Sequence, residues 1–237
     1  DGYPELLVTR ELNTVLVLKN GKGSAFTPEP VSGLENLRGF WYSIIPADLD
    51  QDGKTDYVLG NLGNNNRFQV SADYPYRVYG IDLDRNGIVD PVASSYWKDA
   101  EGQMTEYPVN YLDELAGQSP FFRKAFISYT KFSYAPFQEL IKTDSIGEPR
   151  IRSANTSESY VLWGGDKGLV AERLPDILQT SPIRCAVVSD FNGDGKSDVA
   201  LGSNDHGFDV STGLYDAAKG LVILGNGSRK LDVAGPT

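Results

Sequence analysis

Residues 48–56 read DLDQDGKTD, with aspartates at positions one, three, five and nine of a nine-residue loop and glycine at six. Carboxylates this close repel one another unless a cation lies among them. The spacing returns at 82–90 (DLDRNGIVD) and at 190–198 (DFNGDGKSD). One such loop reads equally well as a solvated turn, since Asp and Gly are ordinary turn residues. Three in one register do not. Crowded hard oxygen donors suit Ca²⁺, which takes roughly six to eight oxygens at about 2.3–2.6 Å. Three calcium sites are therefore expected. The first uses Asp48, Asp50, Asp52, the Lys54 carbonyl and both oxygens of Asp56. The second uses Asp82, Asp84, Asn86, the Ile88 carbonyl and Asp90. The third uses Asp190, Asn192, Asp194, the Lys196 carbonyl and Asp198. With four carboxylates against three, the first site is expected to bind most tightly at equal rigidity.

The first six positions also fit an EF-hand, which needs a bidentate Glu at position twelve. Leu59, Ala93 and Leu201 stand there, each in an apolar run, and a dockerin-type loop fails at the same place. The flanks are β-structure instead. YSIIPA (42–47), RVYGI (77–81) and CAVVS (185–189) precede the loops, and YVLGNLG (57–63), PVASSYW (91–97) and VALGS (199–203) follow them. These are short β-branched and aromatic runs bounded by Gly, Asn and Asp. Each unit is strand, acidic loop, strand. This unit resembles the FG-GAP or VCBS repeat, the blade of integrin-α-like β-propellers. Residues 201–231 (LGSNDHGFDVSTGLYDAAKGLVILGNGSRKL) resemble bacterial members grouped with the ASPIC and UnbV proteins.

The resemblance implies an all-β propeller of about four visible blade units, either a small closed ring or part of a larger one. It also implies structural calcium. Three versions of an outer hairpin fit it: NGKGSAF after TVLVLK (14–26), VLWGGDKGLVAERL (161–174) and ILGNGSRKLDV (223–233). Their Asn- and Gly-rich turns are hairpin chemistry, not a phosphate loop. The opening DGYPELLV looks like the second half of a further repeat, with Asp1 and Gly2 at positions five and six and Glu5 at nine. That suggests a piece of a longer protein. Only 34 residues separate Asp48 from Asp82, short for a four-stranded blade, whereas 108 separate Asp82 from Asp190. The long interval predicts an insertion over about 105–145, with two or three short helices starting near Pro120 and Pro136.

The chain of 237 residues carries a net charge of −10. The ten loop aspartates match that excess, so the acidity reads as a metal-site signature and argues against nucleic acid. No run approaches the roughly 20 apolar residues of a membrane span. The single cysteine, Cys185, allows no internal disulfide and is expected to be a small buried hydrophobe. One His and one Cys do not make a zinc site of the usual type. His206 has no nucleophile motif around it to suggest a triad. Sites of millimolar calcium affinity favour an extracellular, cell-surface or periplasmic setting.

Two functions fit. The first is an exported, calcium-stabilised binding or adhesion module for a protein or glycan, without enzymatic activity. Its expected contact residues are Trp41, Asn64, Asn65, Asn66, Tyr74 and His206, and the resemblance implies loops opposite the calcium loops as the binding face. The alternative is a polysaccharide-active lyase or glycosidase, or its accessory domain. A cleft with two convergent charged residues that are not calcium ligands would distinguish it.

Overall fold

The computed structural model describes residues 2–141, 148–207, 209 and 212–235. The chain forms two compact units, Asp1–Arg67 with Thr156–Thr237, and Phe68–Asn155. In chain order, β1 (Leu6–Val8), β2 (Leu16–Asn20), β3 (Phe26–Glu29), β4 (Ser43–Ala47) and β5 (Asp56–Gly60) come first. The second unit holds β6 (Tyr76–Ile81), β7 (Asp90–Lys98) and β8 (Met104–Pro108). There follow α1 (Leu112–Gln118), α2 (Pro120–Ala125), α3 (Tyr129–Ser133), α4 (Phe137–Leu140) and β9 (Arg150–Ala154). The first unit resumes with β10 (Tyr160–Trp163), β11 (Val170–Arg173), β12 (Cys185–Ser189), β13 (Asp198–Gly202), β14 (Leu221–Leu224) and β15 (Asp232–Ala234).

Among the described residues every pair of these strands is antiparallel, and they form four sheets: β1-β2-β3, β11-β10-β5-β4, β12-β13-β14-β15 and β8-β7-β6-β9. Within the second of these, β5 and β10 are buried on both faces, as their continuous apolar runs YVLG and YVLW require. Val58 and its partner Val161 join Ile45, Trp163, Val199 and Ile223 in one apolar cluster. Leu59 and Leu162, one residue on, join Val17, Val31 and Trp41 in another. Val58, Leu59, Val161 and Leu162 are all 0 % exposed. Burial of that kind stabilises by about 1.5–3 kcal/mol per side chain.

The expected outer hairpins are β2–β3, β10–β11 and β14–β15. The helices fall within the expected 105–145, α1 to α4 spanning 112–140, but the unit that holds them is larger, Phe68–Asn155. Residues 57–60 do not run on into a complete sheet. The third and fourth strands of the first acidic repeat arrive as β10 and β11, after all of 68–155 has intervened. The second acidic loop belongs to that intervening unit. A short apolar, β-branched and aromatic run marks β5 as a strand but cannot name its partner, which is why the short interval misled. At the junction the chain ends meet: Gly63 N donates to Ser157 O at 2.7 Å, and Asn61 Nδ2 to Glu158 O at 2.9 Å.

In the second unit the helices cover one face of the β8-β7-β6-β9 sheet. Leu115, Phe122, Phe132, Phe137 and Leu140 pack with Ile81, Leu83 and Val92. Proline sets two of the helix starts, at the first position of α2 and as the residue capping α4. Residues 142–145 of the expected insertion, and Asp1 of the expected partial repeat, lie outside the described residues.

If 68–155 is an insertion into a finished sheet, a short Gly/Ser loop from Arg67 to Thr156 is expected to leave the first unit folded. It should melt in one cooperative step, with the fluorescence of Trp41 and Trp163 still blue-shifted. Solvent-exposed tryptophan emission from that variant would contradict the topology.

Candidate metal centre

The three acidic loops share one hydrogen-bond pattern. The N–H of position two donates to Oδ2 of position nine: Leu49 to Asp56 at 2.9 Å, Leu83 to Asp90 at 3.0 Å, Phe191 to Asp198 at 2.9 Å. The N–H of position six donates to Oδ2 of position one, as Gly53, Gly87 and Gly195 do to Asp48, Asp82 and Asp190. Position five donates to the side chain at three, and position seven to the side chain at five. These bonds need a left-handed residue at six, where the glycines have φ of 80, 87 and 83°. Position four is left-handed too, and there Gln51 (φ 60°) and Arg85 (φ 62°) adopt it without being glycine.

Position nine is the anchor. Asp56 and Asp198 are 0 % exposed and Asp90 3 %. The second oxygen of Asp56 accepts from Gly164 N at 2.8 Å, and that of Asp198 from Gly225 N at 3.0 Å. Both glycines directly follow the third strand of their sheet. Burial pushes the Asp56 carboxyl above the ordinary carboxylate range; the Gly164 and Leu49 N–H groups oppose this, and the Asp50 charge adds to it. Each Asp56 oxygen thus already accepts a backbone N–H, so a bidentate grip on a cation competes with those bonds.

Among the described residues, Asp48, Asp50 and Asp56 bring one carboxylate oxygen each within 4.8 Å of the others, and so do Asp82, Asp84 and Asp90. Both are positions one, three and nine. The third loop has Asn192 at position three, so the same positions supply two carboxylates and an amide. Asp52, Asn86 and Asp194, at position five, cap the backbone N–H of position seven. Asp48 Oδ1 is buried without a hydrogen-bond partner. A buried acceptor left over in a group of carboxylates is the chemistry a cation would complete. The residues present therefore fit a hard divalent ion held by Asp48, Asp50 and Asp56, and by Asp82, Asp84 and Asp90. Such an ion would supply charge neutralisation to a crowded anionic loop.

Other sequence-selected residues divide by position. Trp41 is 2 % exposed, and its indole N–H donates to Asn13 O at 2.8 Å, so its ring packs the core and offers no face to a sugar. Asn64, Asn65, Asn66 and His206 follow β5 and β13, at the strand ends away from the acidic loops. Asn64 accepts from Ser157 Oγ at 2.9 Å, and Asn66 Nδ2 donates to Gly63 O. Tyr74, in the second unit, is 38 % exposed and lies against Tyr96 with ring centroids 5.4 Å apart. Cys185 corrects an expectation: it is exposed, as the first residue of the edge strand β12. Glu5 precedes β1 and lines an open cleft of about 560 Å³ with Leu7, Tyr57, Lys54 and Leu169.

The second unit also holds a charged cluster that sequence reading missed. Glu106, 9 % exposed, accepts from Arg77 (3.0 Å), Ser94 (2.6 Å) and Tyr79 (3.1 Å). Arg77 donates further to Tyr96 Oη at 2.6 Å. Burial pushes the Tyr79 hydroxyl up to about 12, with the Glu106 charge adding to it. Its members lie on the adjacent strands β6, β7 and β8, where Arg77 is opposite Ser94 and Tyr96 opposite Glu106, which only the pairing reveals.

A family model described as FG-GAP-like repeat matches residues 1–59, which hold β1–β4, the first acidic loop and β5 but for its last residue. No curated protein and no solved structure matches the chain.

Asp56→Ala and Asp198→Ala each orphan two backbone N–H groups. Each is expected to cost roughly 2–6 kcal/mol, at about 1–3 kcal/mol per unsatisfied buried group. Asp52→Ala, which loses one exposed local bond, is expected to cost less than about 1 kcal/mol. Chemical denaturation in chelator checks both figures, and equal losses from Asp52 and Asp56 would contradict the anchoring role.

Proposed function

We propose that the chain is a calcium-stabilised binding module of β-propeller type, exported from the cell, that recognises a protein or glycan and carries out no reaction itself. The observation that carries this reading is the buried, unpartnered Asp48 Oδ1 within a triad of convergent carboxylates, together with a second triad of the same design. A cation there would tie two strands at a loop where apolar side chains are scarce. Because the unfolded chain holds no such triad, binding adds to folding free energy. The FG-GAP-like repeat at residues 1–59 supports a propeller-type module, a type often found in adhesion. Three bound Ca²⁺ would reduce the charge of −10 to about −4. Millimolar calcium outside the cell suits sites of this kind.

Recognition is assigned to the strand ends away from the acidic loops, where Asn64, Asn65 and His206 are exposed. Tyr74 in the second unit is a further candidate. Support for binding over catalysis comes from the Arg77–Glu106 cluster. Its carboxylate and guanidinium already spend their bonds on Ser94, Tyr79, Tyr96 and each other. No helix among the described residues is long and apolar enough to cross a membrane.

Chelator is expected to lower the melting temperature, and calcium to restore it; an unmoved melting curve removes calcium from the account. Function is tested on glycan and protein arrays in calcium, beside an assay for new reducing ends or unsaturated products from the same polysaccharides. Binding without turnover is the expected result. Turnover lost on Glu106→Gln would establish the enzymatic alternative.

A further inference from the structure

The turn between β14 and β15 sends one side chain to the first acidic loop. Arg229 donates from Nε to Asp50 Oδ2 at 3.1 Å and from Nη2 to the Gly164 carbonyl at 2.9 Å. Its guanidinium carbon lies 5.7 Å from the centre of the Trp163 ring. Gly164 is the residue whose N–H holds Asp56 Oδ1. One guanidinium therefore touches position three of the loop directly and position nine through a single residue. The Asp50 side chain is 8 % exposed and that of Arg229 48 %, so the pair is shielded on the side of the loop. A planar fork that is always charged suits this double contact better than an ammonium would.

We propose that Arg229 is a resident counter-cation of the first loop. It holds Asp50 in place while the loop is metal-free, and it opposes a divalent ion for the charge of the same carboxylate. The proposal rests on the calcium reading of the loops. It reverses one expectation from sequence, that four carboxylates make this site the tightest. The guanidinium offsets the charge of Asp50, as the neutral Asn192 does without assistance at position three of the third loop. Like charges a few ångströms apart at a shielded site repel by more than thermal energy. The site is then tuned downward by a residue almost at the other end of the chain.

The test is a calcium titration of the full chain followed by two amide resonances. Gly53 and Gly87 each donate to the position-one carboxylate of their own loop, at 3.2 and 2.9 Å, so they report loops one and two separately. Arg229→Gln is expected to move the Gly53 midpoint to roughly tenfold lower calcium and to leave the Gly87 midpoint in place. It should also lower the melting temperature of the metal-free protein. Arg229→Lys, which keeps the charge, should stay near the parent midpoint, and added salt should shrink the gain from Gln. A Gly53 midpoint that is unchanged or weaker in Arg229→Gln overturns the proposal and leaves the calcium reading intact. A Gly53 resonance that calcium does not move in either protein overturns both.

Discussion

A buried carboxylate at the start of the second strand holds each acidic repeat of the first unit together. Asp56 and Asp198 each accept one N–H from the loop before them and one from the glycine that ends the third strand. One side chain thus joins a loop and two strands. Asparagine could not replace it, because it offers one acceptor oxygen where two are used. Ionised acceptors also make the stronger bonds. Burying that charge is costly, and the two donors offset only part of the cost, as the upward shift at Asp56 shows. The rest is what a cation among positions one, three and nine would supply. Asp90 keeps the first of the two bonds, to Leu83, so the device recurs in the second unit in shorter form.

Around these anchors the first unit is assembled by layers. The central strands β5 and β10 of the β11-β10-β5-β4 sheet are apolar on both faces, and their alternate residues enter different cores. Its edges are tied by polar contacts instead. Asn61, 0 % exposed, accepts from Phe40 N and Leu62 N and donates to Thr156 O and Glu158 O. At the acidic-loop end Lys54 Nζ donates to Asp166 Oδ1 at 2.7 Å, and in the β12-β13-β14-β15 sheet Lys196 Nζ donates to Asn226 O at 3.0 Å. The ends of the strands are therefore dressed differently: anionic loops with cationic side chains at one end, amides and short polar loops at the other.

Much of this was legible from residues in a row. The Asp, Asn and Gly spacing located the loops, the β-branched runs located the strands on both sides, and the Asn-Gly turns located the outer hairpins. Proline placed the starts of α2 and α4. What could not be read was partnership across the chain. Nothing around Val58 announces Val161 as its neighbour. Arg229 meets Asp50 across 179 residues, and no local pattern marks it. Glu106, Arg77, Ser94 and Tyr79 look like ordinary strand residues until the pairing of β6, β7 and β8 brings them together. Trp41 and Cys185 failed for a related reason. Burial depends on which sheet covers a strand, so an aromatic near a polar loop proved enclosed and a cysteine in an apolar run proved exposed.

The placement of 68–155 also has a consequence for the order in which the chain can fold. The β5–β10 pair closes a loop of about 100 residues, as Val58 meets Val161. Closing such a loop costs about 4 kcal/mol in chain entropy, against about 2 kcal/mol for a ten-residue connection. The intervening unit reduces this by pairing its own ends, since Tyr76 is opposite Ala154 in the β6–β9 ladder. Once that ladder forms, about 25 flexible residues remain to be closed, at about 3 kcal/mol. On a ribosome the β4–β5 hairpin emerges long before β10 and waits with an open, apolar edge. Folding the intervening unit first lowers the closure cost by about 1 kcal/mol, so its maturation favours the shutting of the outer layer.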